Sequence, residues 1–529
     1  MSRGSPGRPS GKTLSPDVRK ECIPMRTLEE IRSQVTGADG ETYPGKSVVD
    51  YINRPAFDAS KGLALDYILE IEKTSLLMLS RQKILSEAET ALLAAALCRF
   101  PADEIRAMAY DRDYAEDMFF AVERKLDELS AGRASDLHLG RSRNDMMRTV
   151  DKMLVRHQFL TLFDALTDLI ETLLAMARRY SALLMPGYTH SQQAQPLTLG
   201  HYLLGLTEIL FRDLERLKLE FSVVQLCPMG AGALTTTSFP IDRKLLADRL
   251  GFDGLLLNSC GAVSSSDALT GSASAVAVLC ENLGRFVMQL HVWSSVEYGI
   301  LRPGRAYVGI SSMMPQKRNP STLEHVRCGL SECVGGAVSV LLMNHNTEYE
   351  GNIDLVHSHQ TLQELLRKAA GNIMLLRNIC ATMDFDEKLL RERAENSFAV
   401  MTDFADFLVQ REHIPYRQAH TVASRIVDAC ITERKGVKDL DEALLVSVFS
   451  RVTGRPPSFA YGEALEALDA EACVRKHAAP GGTSPEAVED MLTRQSAAYK
   501  CHTAWLARIK DIIEKQKDVL NYEISSLIG

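Results

Sequence analysis

The sequence predicts a mainly α-helical protein built on a bundle of long helices, and three observations carry that reading. Leu, Ala, Glu and Arg recur in stretches that Gly and Pro seldom interrupt, while aromatic residues make up only 6% of the chain. Apolar side chains return at helical spacing for many turns, most clearly from residue 145 to 184. Gly, Pro, Ser and Asn gather instead in short connectors between these stretches.

Taken in order, the first long helix is carried by Met146, Met147, Val150, Met153, Leu154, Leu160, Leu162 and Phe163, with no proline to stop it. Similar stretches run over residues 197–226, 269–298 and 321–344. Helices of this length bury an apolar face only by bundling. The chain becomes more charged near Phe385, and a last punctuation at residues 478–485 precedes a final helical tail. The expected division is a disordered tail over 1–20, an N-terminal helical domain over 21–135, a central bundle over 136–385 and a C-terminal helical domain over 386–529.

Composition narrows the function classes. At 529 residues, 46% hydrophobic and 24% charged, the chain is an ordinary globular sequence of roughly two to four domains, which excludes a collagen, a disulfide miniprotein and a wholly disordered chain. Sixty Lys and Arg against 68 Asp and Glu leave a net charge of -8, with no global field for nucleic acid or an anionic membrane, so neither is expected as a partner. Eleven cysteines without a CxxC pair suit reduced thiols in a cytoplasm. The first twenty residues have no apolar stretch for a signal peptide, and the apolar runs at 91–97 and 273–280 are cut short by charge, so no membrane span is expected.

The connectors carry the chemistry. Gly140-Arg-Ser-Arg-Asn-Asp145 sets two guanidinium groups and an amide at the start of a long helix, where the planar Arg fork and the backbone N–H groups both suit a carboxylate. The same hexapeptide also reads as a solvated helix cap with Asn144 or Asp145 as N-cap. Pro186-Gly-Tyr-Thr-His190 projects the Thr189 hydroxyl and the His190 imidazole from a rigid turn, which suits proton transfer and equally suits a surface-loop histidine. Pro228-Met-Gly-Ala-Gly-Ala-Leu234 is a third such turn.

In Ser311-Ser-Met-Met-Pro-Gln-Lys-Arg-Asn319, hydroxyls, a cation and an amide share a loop that Pro315 and Pro320 keep from continuing as helix. A serine hydroxyl is a poor base unless its alkoxide is stabilised, a task that suits Lys317 and loop N–H groups. The plainer alternative is a polar interhelical loop with Met313 and Met314 filling gaps. Ser321-Thr-Leu-Glu324 matches a capping box, which gives Glu324 a structural reason to exist. No Gly-rich phosphate loop, HExxH or GxSxG motif occurs, and His345, His357 and His359 lack a carboxylate or Cys pattern to complete a metal site.

In this order the connectors resemble those of the fumarase/aspartase superfamily, and within it the argininosuccinate lyase branch. The likeness extends to Phe239-Pro-Ile-Asp-Arg243, Ile414-Pro-Tyr-Arg-Gln-Ala-His420 and Gly481-Gly-Thr-Ser-Pro-Glu-Ala487 and covers nearly the whole chain. It implies an all-α fumarase/aspartase-like fold, a central long-helix bundle with smaller N- and C-terminal helical domains. It also implies a cytoplasmic homotetramer with active sites where three chains meet, a small-molecule substrate and no cofactor. The implied reaction splits an N-substituted aspartate into fumarate and an amine or guanidine, by default argininosuccinate in arginine biosynthesis.

Carried over position by position, the resemblance makes Ser311 the base that takes the Cβ proton. Lys317 and Asn319 then stabilise the resulting aci-carboxylate. Arg143, Asn144 and Thr189 hold the succinyl carboxylates, Ser312 and Met314 complete the substrate-binding set, and His190, linked to Glu324, moves a proton or orients the leaving group.

Three departures stand against the pattern. Ile310 occupies the place of the Gly before the serine pair, with Gly309 one residue upstream. Gly261, Ser265 and Ser266 replace charged residues. Gly351, Val356 and His359 stand where the family carries the Tyr, Gln and Lys that grip the arginine half, unless Tyr349 replaces that tyrosine in a shifted alignment. The rival expectations are a paralogue cleaving another N-succinyl amine, such as ethylenediamine-disuccinate, and an idle structural relative of the delta-crystallin kind.

Overall fold

The computed structural model describes residues 26–528, so the tail expected over 1–20 lies outside the described residues. Contacts divide the chain into two units, residues up to 62 with 101–124, and residues 63–100 with 125 onward. The first unit opens with the helix Leu28–Asp39, whose start is fixed by a capping box between Thr27 and Glu30. Phe57 is buried there, edge-on to Tyr110 at 5.4 Å.

The second unit is organised by long helices, α1 (Leu63–Arg81), α2 (Arg143–Arg179), α3 (Leu199–Val224), α4 (Arg243–Arg249, short), α5 (Asp267–Trp293), α6 (Ser321–Asn344), α7 (Ile353–Thr382) and α8 (Pro485–Ser526). Helix α2 has 37 residues and, at 1.5 Å per residue, spans about 55 Å. Its buried residues Val150, Met153, Phe159, Leu162, Phe163, Leu166, Leu169, Ile170 and Leu173 keep the three-and-four spacing of an apolar face, which packs on α3 and α7. Helices α5, α6 and α7 pack on one another, and α5 returns to α3.

One continuous core results, and Trp505 on α8 joins it. Its ring and those of Phe159, Phe163 and Phe221 lie 5.1 to 6.0 Å apart, mostly edge-to-face. The C-terminal stretch therefore serves two cores. Residues from Ala394 to Val474, Phe404 and Phe449 among them, form their own cluster, while Val488, Leu492, Leu506 and Ile509 of α8 belong to the bundle.

The expected helix 321–344 has the observed bounds, and the other three overrun their ends by a few residues. The reason lies in the connectors. Residues 184–198 form an antiparallel hairpin of β1 (Leu184–Thr189) and β2 (Gln192–Thr198), so the chain leaves helix α2 before the turn that was expected to end it. A second hairpin pairs β3 (Gly309–Ile310) with β4 (Arg318–Asn319).

The capping box expected at Ser321–Glu324 is absent. Ser321 is already the first helical residue, Pro320 is the N-cap, and no side chain caps α6. The Ser321 hydroxyl packs instead on Gly309, where a Cβ would sit 2.6 Å from it. This contact explains a glycine at 309 rather than 310.

Helix α6 is also long and apolar enough, by length and composition, to cross a membrane, a property the sequence reading did not single out. Only 28% of its most apolar window is buried, and Val338, Leu341 and Leu342 are exposed on the side away from α5 and α7.

Phe163 is 1% exposed and touches three aromatic rings. Phe163→Ala is expected to cost about 3–5 kcal/mol, measured by urea unfolding, with α-helix content by circular dichroism unchanged before the transition.

Candidate functional site

The candidate residues stand at the ends of the helices, and the first group is fixed by one carboxylate. Ser142 is the N-cap of α2, where the Asn144 N–H donates to its Oγ at 3.2 Å and its own N–H donates to Asp145 Oδ1 at 2.9 Å. The cap is thus Ser142 and not Asn144 or Asp145, because Asp145 occupies the third helical position and closes a capping box from there. Asp145 is fully buried, and its Oδ2 accepts from the N–H groups of Gly230 and Gly232, both at 2.9 Å. Those glycines have φ of 79° and 63°, a left-handed turn that aims their two N–H groups at the carboxylate while the Ala231 N–H between them donates to Pro228 O.

The two arginines of the hexapeptide separate in role. Arg141 is tied to Glu72 at 2.5 and 2.6 Å and to Ser75 Oγ at 3.0 Å, in the interior of the unit. Arg143 and Asn144 lie exposed on the first turn of α2, close to the positive end of the helix dipole.

At the second connector, Thr189 pairs with Gln192, and His190 and Ser191 make the turn with φ of 51° and 60°. Both central positions are left-handed, as a two-residue hairpin turn requires, so the Thr189 and His190 side chains stand exposed at a tip that ladder pairing holds. Tyr188 anchors the hairpin against Tyr298, ring centroids 6.4 Å apart.

At the fourth connector, the loop between β3 and β4 folds back on Ser311. Its Oγ accepts from the N–H of Met314 at 3.0 Å and of Met313 at 3.4 Å. A hydroxyl oxygen that accepts two backbone N–H groups is poised for negative charge. Ser312, Met314 and Lys317 lie exposed around it, Asn319 is half-buried in β4, and the Lys317 N–H donates to Met314 O at 3.1 Å. Met313 and Met314 do not fill gaps in this chain, since Met313 is 88% exposed and Met314 40%. Glu324 Oε1 lies 3.3 Å from His291 Nε2 on α5, a neighbour the sequence reading missed.

The departures from the family pattern also have places. A Cβ on Gly351 would meet Val263 O at 3.5 Å and Asn144 Nδ2 at 3.9 Å, and one on Gly261 would meet the Tyr349 hydroxyl at 3.4 Å. Gly351, Tyr349, the 258–264 segment and Asn144 therefore converge within one chain. His359 is buried, its Nε2 3.9 Å from Asp151 Oδ2, and Arg148 Nη2 lies 3.6 Å from the same carboxylate. Burial, reinforced by Arg148 and Lys152, holds the His359 imidazole well below its usual range and therefore neutral. Burial also pushes the Asp151 carboxyl up to about 6, with Arg148 opposing.

Within a single chain, no hydrogen bond or ion pair among the described residues joins His190 to Glu324, Ser311 or Lys317. Among the described residues, no group of three or more His, Cys, Asp or Glu is arranged to hold a metal ion. The Asp145 bridge had a sequence signal, Ser142-x-x-Asp145. Nothing in sequence spacing announced its glycine partners, 85 residues on.

Comparison with known proteins follows the same segments. The family model described as lyase matches residues 71–335, and that described as argininosuccinate lyase C-terminal matches residues 398–475. Argininosuccinate lyase 1 of Shouchella clausii is 30% identical over 486 residues, 92% of this chain and 97% of its own length. Argininosuccinate lyase of Moorella thermoacetica is 35% identical over 380 residues, 72% of this chain and 80% of its own. Among solved structures, an EDDS lyase in complex with formate aligns with a TM-score of 0.80 at 28% identity, covering 90% of this chain and 95% of its own.

Two outcomes follow from the buried acids. Asp145→Asn turns an amine toward backbone N–H donors and should cost about 1–3 kcal/mol in urea unfolding, more than a surface substitution does. Asp151 has a folded-state pKa of about 6 against an ordinary 3.8, so the folded chain holds the extra proton between those values. The stability it contributes is complete below about pH 4 and is lost as pH rises through about 6. Relative to Asp151→Asn, the parent should therefore lose roughly 2–3 kcal/mol across that window, read from denaturant unfolding at a series of pH values.

Proposed function

Because the chain belongs to the argininosuccinate lyase family of the fumarase/aspartase superfamily, we propose that it eliminates fumarate from an N-substituted aspartate, with argininosuccinate as the default substrate and arginine and fumarate as products. The observation that carries the reading is the pair of loop N–H groups on Ser311 Oγ. They lower the cost of an alkoxide, which takes the Cβ proton of the succinyl unit.

The carbanion's charge spreads into the neighbouring carboxylate, and this aci-carboxylate binds Lys317, Asn319 and loop N–H groups more tightly than the ground state does. The C–N bond then breaks, and the leaving nitrogen takes its proton with His190 and Glu324 assisting or orienting it. Arg143, Asn144 and Thr189 hold the two carboxylates of the succinyl group, and Ser312 and Met314 close over it.

The proposal includes a homotetramer in which three chains complete each site. Support comes from the exposed apolar side of α6 with Val338, Leu341 and Leu342, and from the exposure of the candidate groups in one chain. It also includes the division of the chain near residues 135 and 385, supported in part by the separate cluster around Phe404 and Phe449. A cytoplasmic location fits the ten described cysteines, all free thiols.

A second reading, cleavage of another N-succinyl amine, is favoured by one observation. Gly351 and Val356 bring no charged or hydrogen-bonding side chain to the leaving-group end, and the His359 ring is buried beside Asp151. The likeness to an EDDS lyase points the same way.

Purified protein given argininosuccinate and a panel of N-substituted aspartates, followed by fumarate absorbance, decides between these readings. Fumarate from argininosuccinate at ordinary enzymic rates is expected. Release only from other adducts selects the second reading, and release from none leaves an idle structural relative. Ser311→Ala should lower kcat by about 10²–10⁴ while size-exclusion chromatography still shows the tetramer, and a fully active variant would show that Ser311 is not the base.

A further inference from the structure

Away from every residue assigned above, the second unit holds a cavity of about 640 Å³ between α1, α2, α4 and α8. Arg156 lines it and is 3% exposed. Both of its hydrogen bonds come from one nitrogen, since Nη1 donates to Leu250 O at 2.9 Å and to Gly251 O at 3.1 Å, while the guanidinium lies over the Phe252 ring at 4.9 Å. Nε and Nη2 make no hydrogen bond among the described residues.

Tyr67 and Glu70, one turn apart on α1, line the same space. The Tyr67 hydroxyl has no hydrogen-bond partner among the described residues, and burial pushes its pKa up to about 12, so it remains a donor at neutral pH. Glu70 is largely buried and faces the half-exposed Lys517 Nζ at 3.5 Å, and burial pushes its carboxyl up against the opposing pull of Lys517, Arg156 and Lys73. Leu160 and Ile513 add apolar wall.

Charge and shape together restrict the ligand. A buried guanidinium with an open edge matches a carboxylate in two-point fashion, and the neighbouring phenol adds a third donor. Glu70 sets a carboxylate beside that cation, its nearest partner the long Lys517 contact at 3.5 Å, which suits a ligand carrying an ammonium next to its carboxylate. The volume lies in the range of small-molecule sites. We propose that this cavity binds an aliphatic α-amino acid, with its carboxylate on Arg156 and Tyr67, its ammonium on Glu70 and its side chain between Leu160 and Ile513.

This site is separate from the lyase site. Arg156 lies 13 residues beyond Arg143 on the same helix, about 20 Å along its axis.

Isothermal titration of the full-length protein with L-leucine tests the assignment. One binding event is expected, and isocaproate, which lacks the ammonium, and isoamylamine, which lacks the carboxylate, should each bind at least about tenfold more weakly. Arg156→Met should weaken L-leucine binding by about ten- to a hundredfold, the worth of charged hydrogen bonds. Tyr67→Phe, which keeps the ring, should weaken it by about two- to tenfold and decides the matter if Arg156→Met fails to fold by circular dichroism. Absence of heat with L-leucine, equal affinity for isocaproate, or unchanged affinity in both variants would overturn the proposal.

Discussion

The buried Asp145 carboxylate is the interaction on which the placement of the candidate site depends. One oxygen closes the start of a 37-residue helix and the other holds the Gly230-Ala-Gly232 turn, so two segments distant in sequence share one anchor. Taking a carboxylate out of water is costly, and only a full set of N–H donors makes it tolerable. Here the donors come from Ser142, Met146, Gly230 and Gly232. Because any movement of the turn would strip that shell, Arg143 and Asn144 present their side chains from a fixed base.

The same logic separates holding groups from the groups proposed to act throughout the unit. Arg141, Glu72 and Asp145 are buried and saturated, whereas Arg143, Asn144, Thr189, His190 and Lys317 are exposed at helix ends and hairpin tips. Long struts with exposed polar groups at their ends suit the proposed reaction, whose substrate must enter, be held at two carboxylates and leave as two pieces. The exposed apolar side of α6, with Val338, Leu341 and Leu342, is the surface that the proposed assembly would cover.

Much of this was legible in the sequence, for reasons that can be named. Long helices show themselves because α2 repeats its apolar residues over ten turns, and the bounds of α6 are set by Pro320 before it and polar residues after it. Helix α7 was less visible, its 30 residues opening on Asp354, His357, Ser358 and His359 rather than on an apolar run. The hairpin at 184–198 was read only as a turn because its alternation is broken by Pro186, Gly187 and Pro196. Motif spacing found the Ser311 loop, but the two N–H groups on its hydroxyl depend on a fold-back that spacing does not encode. Glycine 309 illustrates the limit from the other side, since it makes sense only once the Ser321 hydroxyl is seen beside it.

The central claim is that connectors from different chains converge on one succinyl group. A crystal structure of the assembled Ser311→Ala protein with an N-substituted aspartate bound tests it most directly. The account predicts the succinyl carboxylates held among Arg143 and Asn144 of one chain, Thr189 and His190 of a second and the loop carrying residue 311 of a third. A ligand bound elsewhere, or these three segments lying in separate regions of the oligomer, would contradict it.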